Sequence, residues 1–240
     1  MNFKTRSRKG EAMDDPALDA AQLEAVFRDL NRTNHLLGGQ EITLRAIQSV
    51  ISRFPKKSYS IVDMGCGDGD LLRRIAKYSR VSGIPVNLLG IDNSRAALEI
   101  AADRSRGFPE IRFQEADLPD LGGMTFPCDI LLCTLTLHHF TDEEVPQVLE
   151  QFTGMASLAV IINDLQRNRL AYYLFQLFSL IFIKTKIAKQ DGLISISRGF
   201  LRRELQAYSM TIPNCDHRIR WRWIFRYLWV MQIKGVPIHE

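Results

Sequence analysis

Two periodicities alternate along the chain. Leu18, Leu23, Val26, Phe27 and Leu30 recur at helical spacing, and Asp14-Asp15-Pro16 ahead of them reads as a helix start. Leu37-Gly38-Gly39 breaks that helix. Ile42, Leu44, Ile47, Val50 and Ile51 then form one face of a second helix, from about Glu41 to Phe54. Beyond Pro55 short apolar runs take over. Residues 60–64, 86–92, 111–116, 128–134 and 158–163 read as strands, with helices predicted over 71–79, 94–104 and 143–152. This alternation predicts an α/β fold, a doubly wound parallel sheet covered by helices on both faces. Residues 217–223 and 226–233 are β-prone on either side of a short turn and predict an antiparallel C-terminal hairpin at one sheet edge. Ligands of such sheets bind beyond the carboxyl ends of the strands, so Asp63, Asp92, Ala116, Thr134 and Asn163 are expected on one rim.

Composition narrows the class only a little. The chain has 240 residues, 46% hydrophobic and 24% charged, which suits a globular protein and excludes a disordered or disulfide-stapled one. Cys66, Cys128, Cys133 and Cys215 show neither zinc-site nor disulfide-frame spacing, so we expect reduced thiols, no metal and a cytoplasmic protein. The N-terminus lacks the apolar core of a signal peptide. The net charge of +4 permits an anionic partner without demanding one. Residues 1–13, with Lys4, Arg6, Arg8 and Lys9, read as a flexible basic tail. Residues 14–54 read as a helical cap, and 55–240 as the main domain with a helical insertion or lid at about 165–212.

The most informative stretch is Asp63-Met64-Gly65-Cys66-Gly67-Asp68-Gly69-Asp70, between a strand and a helix. Aspartate at 70, where a dinucleotide-binding loop has its third glycine, breaks that template. Asp63, Asp68 and Asp70 would repel a pyrophosphate and attract a cationic ligand. S-adenosylmethionine carries both an ammonium and a sulfonium. Asp92, ending the second strand, can accept from both ribose hydroxyls. Asp117 is placed to take an adenine amino group, and Leu118 to pack on the ring.

These residues resemble the class I S-adenosylmethionine-dependent methyltransferases over roughly 40–165 and the C-terminal hairpin. Leu137-His138-His139-Phe140 after the fourth strand is similar to the small-molecule enzymes related to ubiquinone and menaquinone methylation. The resemblance implies a Rossmann-like, seven-stranded sheet with a reversed last strand, and S-adenosylhomocysteine as product. It places Asp63, Gly65, Cys66 and Gly67 at the methionine portion, Asp92 and Asn93 at the ribose and Asp117 with Leu118 at the adenine. Thr134 joins them on the rim.

Methyl transfer needs alignment of nucleophile, methyl and leaving sulfur, and a hydroxyl nucleophile also gains from a base. His138 and His139 follow the fourth strand, and either is a candidate base; capping the next helix is the alternative role. The expected acceptor is small and hydrophobic: a phenol, quinol or polyketide-like molecule, with O-methylation favoured. Nucleic acid is disfavoured, because Cys133-Thr134-Leu135-Thr136 stands where base amino-methylases resemble one another in an Asn/Asp-Pro-Pro-aromatic sequence. Pro127-Cys128, similar to a cytosine-methylase nucleophile, falls at the wrong end of its strand. Alternation explains Arg218, Arg220 and Arg222 on one face of the hairpin, with Ile219, Trp221 and Trp223 on the other.

Leu170 to Ile183 is the longest apolar run, too short to span a membrane. Three roles stay open for it: core, a lid over a greasy acceptor that uses Tyr172 and Phe175, or a peripheral membrane contact with flanking cations. Asp191-Gly192 reads as a turn and Ser197 as a helix opening; Arg198 is a candidate for holding an anionic or carbonyl group of the acceptor, or for a structural ion pair with Asp191 or Asp164. Two rivals remain: an RNA or protein methyltransferase, and a non-catalytic protein that binds S-adenosylmethionine to regulate.

Overall fold

The structure, a computed structural model, describes residues 3–15, 17–118 and 124–236. Seven strands form one sheet: β1 (Tyr59–Met64), β2 (Val86–Asp92), β3 (Ile111–Glu115), β4 (Cys128–Thr134), β5 (Ala156–Leu165), β6 (Cys215–Arg222) and β7 (Arg226–Ile233). Their order is β3-β2-β1-β4-β5-β7-β6. Neighbours among β1 to β5 run parallel, whereas β7 lies antiparallel between β5 and β6. The order reverses between β1 and β4, and there the carboxyl ends open a crevice.

Strand parity builds the two cores. Ile130, Leu132, Ala159 and Ile161 face a layer made by α2 (Gly39–Arg53), α3 (Asp70–Ser82) and Leu98 of α4 (Arg95–Arg104). Leu131, Cys133, Val160 and Ile162 face the other way, onto α5 (Val145–Met155) and Leu205 of α8 (Arg202–Met210). The central strands are buried on both faces, which is why they read as continuous apolar runs.

The N-terminal region departs from expectation in two ways. The Asp14-Asp15-Pro16 signal does not open the first helix; Ala12–Asp14 is a single 3-10 turn, and Pro16 lies outside the described residues. Helix α1 (Ala20–Leu36) starts instead at Asp19, whose carboxylate accepts from Gln22 N–H while the Gln22 side chain accepts from Asp19 N–H. Nor are residues 3–13 a loose tail. Ser7 N–H donates to the Ser197 carbonyl, and Arg6 donates to the carbonyls of His138, Phe140 and Arg198. The Arg6 guanidinium also lies 4.4 Å from the Phe200 ring centre. Composition suggested a solvated terminus, but the partners of these residues lie more than a hundred positions away.

Three helices separate β5 from β6. Helix α6 (Arg169–Phe182) carries the apolar run, and α7 (Lys186–Arg198) packs on it. The predicted turn at Asp191-Gly192 is interior to α7. A Cβ at Gly192 would lie 2.2 Å from Phe175, so glycine here seats an aromatic ring of α6. Ser197 opens no helix; it belongs to the last turn of α7, and its hydroxyl donates back to the Leu193 carbonyl.

Candidate functional site

A cleft of about 1320 Å³ opens at the carboxyl ends of β1, β2 and β4. The sheet forms its floor. Residues of α1, α6 and α7, the 11–15 segment and the turn joining β6 to β7 supply the walls. Asp63, Gly65, Cys66, Gly67, Asp92, Asn93, Asp117, Leu118 and Thr134 all line it, as do His138, His139, Phe175 and Arg198. Two residues expected on the rim lie elsewhere. Ala116 is buried in the core beneath it. The Asn163 side chain donates to the Gly39 carbonyl and Thr43 Oγ1, fastening the start of α2 to β5.

Between β1 and α3 the chain turns through left-handed backbone at Gly65, Gly67 and Gly69. A Cβ on Gly65 would fall 2.3 Å from Thr136 Oγ1, so the glycine also lets the loop after β4 close against the first loop. Gly67 N–H donates to Asp92 at 2.8 Å, and Ser94 N–H donates to the other Asp92 oxygen at 2.9 Å.

Partners reduce the loop's negative charge to fewer residues than the sequence suggested. Asp68 pairs with Arg73 and Arg104 and accepts from Asn31; Asp70 pairs with Arg73 and accepts from Gln40. Asp63 differs. It is buried and its Oδ1 has no hydrogen-bond partner. Burial, aided by the nearby Asp92, pushes its carboxyl well above the usual range. Burial also raises Asp92, partly offset by the Ser94 and Gly67 amides. An orphaned carboxylate beside a second acid suits a cationic ligand bearing an ammonium. The glycine cradle, Asp92, and the apolar Leu118 beside Asp117 suit the rest of a nucleoside.

The two histidines occupy different environments. His138 is buried, its Nδ1 2.7 Å from Asp164 Oδ1 and its Nε2 3.4 Å from Glu11 Oε1, an ion-pair distance rather than a formed hydrogen bond. Burial disfavours its imidazolium, but the carboxylates of Asp164 and Glu11 outweigh that and raise its pKa. Burial likewise disfavours the Glu11 carboxylate, yet His138, His139 and Ser195 hold it ionised. His139 is partly open to the cleft, with Nδ1 3.3 Å from Asp14 and Nε2 3.7 Å from Glu11.

Two proposed acceptor contacts change. Arg198 reaches the cleft, but its guanidinium donates to the carbonyls of Lys9, His138 and His139, so it clamps the loop after β4 rather than pairing with Asp191 or Asp164. Asp191 instead accepts from the Ala12 and Met13 amides. Tyr172 turns its ring edge to Phe3 and Tyr173 and is not among the residues lining the cleft. Sequence reasoning missed Glu11 and Arg226. Arg226 starts β7, is buried under Gly39, donates to Asn34 and lines the cleft with Nη1 unpartnered. No local motif marks either residue.

Residues 61–156 match the family described as "Methyltransferase domain". An uncharacterized methyltransferase of Oceanobacillus iheyensis is 24% identical over 185 residues, 72% of this chain and 76% of that protein. The ubiquinone/menaquinone biosynthesis C-methyltransferase UbiE of Campylobacter jejuni is 27% identical over 146 residues, covering 58% of this chain and 60% of the relative, under two thirds of its length. In fold, the chain is similar to the plantazolicin methyltransferase BamL, solved with a triazolic desmethylPZN analog and SAH, at TM-score 0.67 and 14% identity over 89% of this chain and 90% of that one. It is also similar to the magnesium protoporphyrin IX methyltransferase of Synechocystis PCC 6803 with bound SAH, at TM-score 0.56 and 15% identity over 82% and 84%.

Sheet order, glycine cradle and paired acids, taken with the methyltransferase domain at 61–156 and these relatives, support a class I S-adenosylmethionine-dependent methyltransferase. The same findings support an enzyme of that class, and a cleft of this chemistry is consistent with S-adenosylmethionine as its cofactor.

Proposed function

We propose that the enzyme methylates a small, hydrophobic acceptor carrying a hydroxyl on a phenol, quinol or polyketide-like ring. The observation that carries this reading is the cleft itself. Its volume exceeds that of most single-ligand pockets, roughly 300–1,000 Å³, and next to the acidic cofactor end its walls turn apolar. Leu174, Phe175 and Phe178 of α6, Ile196 of α7, and Trp223 and Phe225 of the hairpin turn supply that wall.

When bound, S-adenosylmethionine supplies a methyl carbon on a sulfonium, open to in-line displacement. Asp63 would hold its ammonium and Asp92 its ribose, so that the donor is aligned before the acceptor enters. The loop after β4, held by Arg6, Arg198 and Thr136, carries His139 to the cleft. His139 takes the acceptor's hydroxyl proton, and Asp14 and Glu11 face the cation that forms. His138 is left out of that role. Clamped between two carboxylates that raise its pKa, it keeps its proton at neutral pH and has no free ring nitrogen to accept another.

The test is turnover. Purified enzyme with S-adenosylmethionine and a panel of phenols and quinols should convert an apolar member to its methyl ether, with the new carbon placed on oxygen by NMR. Methylation of RNA or protein with every small phenol inert would replace this reading.

A further inference from the structure

Helix α6 has two apolar faces, and only one is used inside the protein. Phe175 and Phe178 turn inward to the cleft, and Ala171 is buried. On the outer face Leu170, Tyr173, Leu177, Leu180 and Ile181 are 58–77% exposed. Their spacing of three and four residues sets them in one stripe along the 14-residue helix, about 21 Å at 1.5 Å per residue. An unbroken apolar face of this length in water marks an interaction surface.

Charge identifies what covers it. From Leu165 to Gln190 the sequence holds five cations and no acidic residue. Arg167 is buried against Glu204, but Arg169 at the start of the helix and Lys184 and Lys186 just past its end are exposed. A second copy of this chain docking here would bring like charges together. A surface of anionic lipid headgroups would meet them with opposite charge and take the leucine stripe into its acyl boundary. Trp221 and Trp223, 42% and 69% exposed, add amphipathic rings on the hairpin, and Trp223 also lines the cleft. No described helix is long and apolar enough to cross a membrane, so contact would be along the surface.

We infer that the outer face of α6 docks this enzyme onto an anionic lipid surface, with the leucine stripe inserted and Arg169, Lys184 and Lys186 on the headgroups. The docked face backs the wall of the cleft, which gives a lipid-dissolved acceptor a short route to the site. That consequence rests on the proposed hydrophobic acceptor; the docking itself does not.

Flotation of the full chain with phosphatidylcholine vesicles, and with vesicles half phosphatidylglycerol, tests it without any acceptor. The protein should float with the anionic vesicles and much less with the neutral ones. Lys184→Glu with Lys186→Glu should weaken that binding by roughly tenfold or more. Leu177→Glu with Leu180→Glu should abolish it while thermal melting and S-adenosylhomocysteine affinity stay unchanged, both positions being solvent-facing. Failure to float with anionic vesicles overturns the inference, as does flotation that survives the leucine variants. So does a dimer in sedimentation velocity that the leucine variants split, which would make a second copy the occupant. Inert phenols in the turnover assay would leave the flotation result standing.

Discussion

His138 Nδ1 lies 2.7 Å from Asp164 Oδ1, and this buried pair ties the loop after β4 to the end of β5. The Asp164 carboxylate also accepts from His138 N–H and from Leu165 N–H, so one side chain fixes the backbone of the loop after β4 and the end of β5. Such a pair is costly to break from one side, because the survivor keeps a buried charge without a counter-ion.

His138→Gln should therefore destabilise the fold by about 3–5 kcal/mol. The effect has a pH signature. Because the folded pKa of His138 is raised to about 9 from 6.5, its contribution is complete below about 6.5 and lost as pH rises through about 9. Denaturant unfolding between pH 6 and 10 should show the wild-type protein losing stability across that window and the variant losing much less. Parallel curves for the two proteins would mean that His138 is neutral in the folded state.

Binding of the cofactor should release a proton from Asp63. Its carboxyl is raised by burial and by Asp92, and a cation at Oδ1 favours the ionised form. Affinity for S-adenosylhomocysteine, which keeps the ammonium, should rise with pH through the Asp63 titration. Calorimetry in buffers of different ionisation enthalpy should then report proton release, and Asp63→Asn should abolish it with at least a tenfold loss of affinity. Equal heats in all buffers would remove Asp63 from the ammonium site.

If His139 is the base, His139→Ala should lower kcat by roughly 10²–10⁴-fold, with cofactor affinity nearly intact. A variant with full activity on the phenolic acceptor would end the proposal.

Gly65→Ala should be damaging for two separable reasons. The left-handed backbone costs an L-residue about 1–2 kcal/mol, and the new methyl would meet Thr136 at 2.3 Å. Adding Thr136→Ala to Gly65→Ala, which removes the Oγ1 and Cγ2 contacts, should recover part of the lost melting temperature. No recovery would show that backbone strain alone sets the cost.

The sheet was readable because its central strands β1, β4 and β5 are buried on both faces. β2 and β4 fall at 86–92 and 128–134, as the apolar runs predicted, and the cradle is a local signal that needs only its strand and its helix. What escaped the sequence depends on distant partners. Glu11 matters because α7 and the loop after β4 come to meet it, and Arg226 because Gly39 leaves room above it. Asp191-Gly192 carries the chemistry of a turn, yet it lies inside α7, where the Phe175 ring fills the space beside the glycine. Arg198 offered a charge to the acceptor in sequence, but in the fold three backbone carbonyls use its guanidinium.

Calorimetric titration with S-adenosylhomocysteine, for the wild-type chain and for Asp92→Ala, tests the central assignment most directly. Asp92 accepts from the Gly67 and Ser94 amides, which holds its carboxylate beside the glycine cradle where the proposal puts the ribose. The account predicts one site per chain, weakened by one to two orders of magnitude in the variant, on the order of 1.4–2.8 kcal/mol. Undetectable heat with both the product and S-adenosylmethionine, alongside binding of a nicotinamide dinucleotide, would contradict it.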